Sequence, residues 1–146
     1  MSSERVESLD HSLQITHEWI NELDTALGWG NKHRSYRLLG AVLQTLRDCL
    51  PLAEAAHLSA QLPIVLRGVY FEHWRPAAER PRHWDLDHFF AKIDTFFKQD
   101  PIEDVADAVS EVFCVLENRI SGGEIDNVVG CLPAEIQTLW PGLEGP

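Results

Sequence analysis

Residues 100–120 read DPIEDVADAVSEVFCVLENRI, and this stretch decides the fold class. Val105, Val109, Val112, Phe113, Leu116 and Ile120 recur at intervals of three and four, the spacing of a half-buried helix rather than of a strand. Asp100 is expected as its N-cap, with Pro101 at the first helical position and Glu103 completing a capping box. The β-branched valines lower helix propensity slightly, and the spacing outweighs them. An equivalent stripe, Leu39, Val42, Leu43, Leu46 and Leu50, lies upstream, entered from Asn31 after the break Gly28-Trp29-Gly30.

Working outward, every other apolar pattern is helical too. Residues 9–27 and 86–97 form amphipathic segments ahead of the two long helices, the second behind the N-cap candidate Asp85. Pro51 opens a short helix with Ala55, Leu58 and Leu62, and Ser121 with Glu124 caps one with Ile125, Val128 and Leu132. Pro63 and Pro133 then restart the chain before residues 64–71 and 134–140, because proline cannot extend the preceding helix. The expectation is an all-α protein of about eight helices.

The order long, long, short, short occurs twice. A shift of 70 aligns residues 19–70 with 89–140 without a gap and matches Asp24 with Asp94, Thr25 with Thr95, Leu46 with Leu116, Glu54 with Glu124, Leu62 with Leu132 and Pro63 with Pro133. Nineteen positions are apolar in both windows, more than independent patterns of that density would share. The expected organisation is two pseudo-repeated four-helix units, 1–76 and 85–146, joined by the Pro- and Arg-rich connector 77–84 and packed as one compact domain.

The 146 residues carry 12 Lys and Arg against 23 Asp and Glu, for a net charge of −11. That balance excludes the basic footprint that nucleic acids and anionic membranes require. The charge is uneven: residues 1–82 sum to −1 and residues 83–146 to −10. No apolar run approaches the roughly 20 residues of a spanning helix, and the polar N-terminus has no secretory h-region. Cys49, Cys114 and Cys131 form no CxxC pair and sit among apolar residues, so small buried thiols in a reducing cytoplasm are expected.

Within residues 36–76, the runs LRDCLP (46–51), EAAHLSAQLP (54–63) and LRGVYFEHWRP (66–76) resemble the bacterial domain-of-unknown-function 2267 family. The later run from Gly123 to Pro141 looks like the C-terminal repeat of that family. The resemblance spans roughly residues 18–141 and implies a bacterial, soluble, helical protein. It implies no activity.

The most concentrated polar group closes the first unit. His57, Gln61, Arg67, Tyr70, Glu72 and Trp74 are the candidate ligand-binding residues, joined by His73 and Arg75. Arg67 and Tyr70 share a helical face, as do His57 and Gln61. Arg67 would clamp a carboxylate or phosphate between the two aromatic rings. The structural alternative pairs Arg67 with Asp48 or Glu72 and uses Trp74 to plug the junction between units.

His73, His83 and His88 lack the spacing of metal ligands, as do His11 and His17. No nucleophile elbow or phosphate-cradling loop is present, and a Cys49–His57 dyad has little behind it. Glu103, Asp104 and Asp107 read as a solvated helix start. No catalytic residue, metal or cofactor is therefore assigned. The sequence points to a non-enzymatic helical module that binds another protein or itself. The alternative is a binder of, or enzyme for, a small anionic ligand, built around Arg67, Tyr70, Glu72 and Trp74.

Overall fold

The computed structural model describes residues 4–76 and 84–143; of the connector 77–84 only Trp84 falls within them, and His83 lies outside. Among the described residues there are eight α-helices and no strand. They are α1 (Glu7–Leu27), α2 (Lys32–Cys49), α3 (Leu52–Ser59), α4 (Ile64–Phe71), α5 (Leu86–Asp94), α6 (Val105–Arg119), α7 (Gly122–Gly130) and α8 (Ala134–Gln137). None of these helices is long and apolar enough to cross a membrane.

The boundaries follow local chemistry. Gly28 ends α1 at φ 69°, a left-handed position that suits glycine, and its N–H donates to the carbonyls of Asp24 and Thr25. The Asn31 side chain then caps α2 by accepting from the Arg34 N–H. Asp24 fixes the corner: its buried carboxylate accepts from Asn31 N–H at 3.0 Å and from the Ser35 hydroxyl at 2.7 Å. Asp85 and Ser121 cap α5 and α7 as expected.

Four expectations are corrected. Helix α6 starts at Val105 and is capped by Asp104, which accepts from the Asp107 N–H, not by Asp100. The Asp100 carboxylate instead receives both arms of the Arg37 guanidinium at 2.8 and 3.1 Å and Arg34 Nε at 3.3 Å. A forked, charge-assisted pair outweighs a single cap bond. The segment 134–140 is helical only to Gln137, and 86–97 finishes as a 3-10 turn over Thr95–Phe97. Cys49 is buried, whereas Cys114 is half-buried and Cys131 exposed.

One continuous core takes side chains from both halves of the chain. Helix α1 packs on α2 and α6, α2 packs on α4, α5 and α6, and α3 meets α7. Phe113 stacks on Trp140 with centroids 4.1 Å apart, and Phe89 meets Phe113 edge-on at 6.2 Å. Helices α2 and α4 touch at Gly40, where a Cβ would lie 2.9 Å from Val69 Cγ1. The two halves thus bury one another, as a chain of this length needs to do to fill a core.

Candidate functional site

The anchor of the candidate region is Arg47, at the C-terminal end of α2 and only 4% exposed. Its Nε donates to Asp48 at 2.9 Å, and one terminal nitrogen donates to the carbonyls of Tyr70 and Glu72, each at 2.7 Å. Those carbonyls end α4 and have no partner within the helix, so a buried guanidinium satisfies them. The chain then turns at His73, which is left-handed at φ 61°. Arginine stapling of the α4 terminus falls to Arg47, and Arg67 pairs with neither Asp48 nor Glu72.

The six predicted ligand residues do not line one pocket. Arg67 donates to the carbonyls of Ser59 at 2.9 Å and Leu62 at 3.1 Å, inside its own helix–turn–helix. Tyr70 is fully buried, and its hydroxyl donates to Ala55 O at 2.6 Å. Burial, above all, pushes that phenol above its ordinary range, so it stays neutral. Gln61 is exposed and accepts from Ser121 N–H, and Glu72 contributes its carbonyl to Arg47. Trp74 lines a cleft that His57 does not line, and His57 sits between α3 and α7.

The cleft encloses about 930 Å³, within the range of small-molecule sites. The end of α2 and start of α3 line it with Asp48, Leu52 and Ala55. Trp74 and Trp84 also line it, and His73, Arg75, His88 and Lys92 bring cationic or protonatable groups to the lining. The Trp84 indole N–H is buried without a hydrogen-bond partner among the described residues. His88 Nδ1 lies 2.7 Å from the Asp85 carboxylate, which the His88 backbone N–H and then the ring hold below its usual range. In sequence these residues flank the connector, and periodicity gave no hint that α5 closes against the end of α2.

Where α3 meets α7, His57 Nδ1 lies 2.8 Å from Glu124 Oε2 and 4.0 Å from Glu54 Oε1. Glu124 is 4% exposed, Glu54 is half-buried, and Oε1 of each is buried without a hydrogen-bond partner among the described residues. Burial pushes the Glu124 carboxyl above the ordinary carboxylate range, and the adjoining Glu54 carboxyl adds to this against the pull of His57. Read along the sequence, the two glutamates are only first-turn residues of α3 and α7. Their identity under the 70-residue shift was the one available signal that they meet.

Burial and then Glu111, Glu117 and Glu22 push Cys114 upward, the opposite of what a nucleophilic cysteine needs. No curated protein matches the chain. A family pattern described as "Uncharacterized conserved protein (DUF2267)" matches residues 16–139, which takes in all eight helices except the first turns of α1. With the LRDCLP, EAAHLSAQLP and LRGVYFEHWRP runs now placed on the α2–α3–α4 corner that frames the cleft, the chain belongs to the DUF2267 family.

Proposed function

We propose that this protein is a non-enzymatic binding module whose cleft takes a small anionic ligand. One observation carries the reading: a chain with a net charge of −11 gathers His73, Arg75, His88 and Lys92 around a cleft walled by two tryptophans. An anion would meet charge-assisted donors there. The rings would hold the apolar part of the ligand. The same reading sets the protein in a reducing cytoplasm, where exposed Cys131 keeps its thiol.

Tryptophan fluorescence tests this directly, because Trp74 and Trp84 line the site. Titration with a panel of aromatic and aliphatic carboxylates and phosphate monoesters should change the emission for at least one compound. Lys92→Ala and Arg75→Ala, both at exposed positions, should weaken that compound by about tenfold each, the share of one charge-assisted hydrogen bond. A panel without response, or a response unchanged in both variants, would sink the cleft as a ligand site.

A second reading, self-association or docking of a protein partner, rests on a different observation. Val6, at the N-cap of α1, and Leu9 and Leu13 in its first turns are 55%, 59% and 49% exposed at helical spacing. Native mass spectrometry separates the two readings. A dimer lost on Leu9→Lys favours self-association, and a monomer retaining a stoichiometric small-molecule adduct favours the cleft.

A further inference from the structure

We propose that Glu54, His57 and Glu124 form a binding site for a first-row divalent transition-metal ion such as zinc, held between α3 and α7. One ligand atom from each residue lies within 4.8 Å of the other two. Metal–oxygen and metal–nitrogen bonds of about 2.0–2.2 Å in tetrahedral geometry place neighbouring ligand atoms roughly 3.4 Å apart. The observed separations of 2.8 and 4.0 Å from His57 Nδ1 bracket that value. His57 is 64% exposed, so a rotation of its ring can equalise them without disturbing the core.

The carboxylates carry the argument beyond proximity. Glu124 is buried on a contact between two helices and adjoins the Glu54 carboxyl, and when both are ionised Oε1 of each has no hydrogen-bond partner among the described residues. An unsatisfied buried acceptor is costly, and two adjoining carboxylates repel unless a proton or a cation lies between them. A divalent ion neutralises both charges and takes one oxygen from each carboxylate. The donor set, one imidazole and two carboxylates, suits zinc, cobalt or manganese rather than calcium, which takes six to eight oxygens. Three protein ligands with an exposed histidine leave a coordination position facing solvent.

The second unit sharpens the assignment. Glu54 and Glu124 correspond under the 70-residue shift, whereas the position corresponding to His57 is Asn127. One histidine therefore completes a site made by two equivalent glutamates. Because the ligands come from α3 and α7, the ion would clamp the two halves and raise the thermal midpoint by mass action.

The experiment is isothermal titration calorimetry with Zn²⁺ and Co²⁺ on the apo protein, in a Cys131→Ser background that removes the exposed thiol. One equivalent should bind, and the Co²⁺ spectrum should lack thiolate charge-transfer intensity. His57→Gln changes only an exposed side chain and should keep the fold. It should weaken binding by more than the roughly 10- to 100-fold that loss of an outer-shell partner costs. Glu124→Gln, close to isosteric, should do the same; if it fails to fold, His57→Gln decides alone. No stoichiometric uptake by the parent, or undiminished uptake by His57→Gln, overturns the proposal.

Discussion

The guanidinium of Arg67 reaches the carbonyls of Ser59 and Leu62 at 2.9 and 3.1 Å, and the carboxamide of Gln137 reaches those of Val129 and Leu132 at 3.0 Å each. Both side chains tie down the end of one short helix from the fourth residue of the next, and Gln137 does so without a charge. Arg67→Gln should therefore leave stability within about 0.5 kcal/mol of the parent, whereas Arg67→Ala should cost about 1–2 kcal/mol through unpaired carbonyls. Arg47 is different, because it is buried, paired with Asp48 and bonded to two carbonyls. Arg47→Ala should cost about 3–5 kcal/mol. Urea midpoints of the three variants rank the roles, and an Arg67→Gln loss as large as that of Arg47→Ala would contradict the assignment.

Among the elements, α6 shows where sequence reading stops. Its apolar stripe is read correctly, since Val109, Val112, Phe113 and Leu116 are all buried. Its start is displaced by four residues, because Asp100 and Asp104 are equally good N-cap candidates in sequence. The choice belongs to Arg34 and Arg37, contributed by α2 more than 60 residues earlier. Asp104→Ala should cost about 1 kcal/mol, the ordinary loss of a helix cap. Helix α2 should respond to Asn31→Ala in the same way, since its side chain accepts from Arg34 N–H. Thermal unfolding of each variant beside Asp100→Ala distinguishes caps from the arginine clamp, because only the clamp should lose its effect in high salt.

At the scale of the molecule, Asp100 joins the two halves, and its charge makes that joint sensitive to pH. The Arg37 hydrogen bond, foremost, and then Arg34 hold its carboxyl below the usual range. A folded pKa below the unfolded value adds stability above the unfolded pKa of about 3.9, which is lost as pH falls through the lower folded value. Denaturant midpoints should thus fall on acidification below about pH 4, and Asp100→Asn should flatten that limb while lowering the neutral plateau. An acid limb identical to the parent would remove Asp100 from this role. We also propose that the chain is a tandem of two four-helix units. The matching Arg67 and Gln137 bonds support this, as do the near-identical dihedral angles of Pro63 and Pro133 ahead of α4 and α8. The packing of α1 on α6 also exchanges with that of α5 on α2 under the 70-residue shift.

By itself the sequence determined the helical class, the order of the helices, the caps at Asp85 and Ser121, and the family, because each is written in neighbouring residues: apolar spacing, a capping side chain, a proline, a run of motif letters. It also named His57 and Trp74, though as parts of one pocket. The tertiary structure alone decided that these two lie in separate places, that Arg47 rather than Arg67 is the buried arginine, and that Glu54 meets Glu124. Periodicity identifies which face of a helix is buried and not which helix covers it. Every feature that brings chemistry together here, the Asp100 clamp, the cleft between α2 and α5, and the carboxylates between α3 and α7, depends on that second choice.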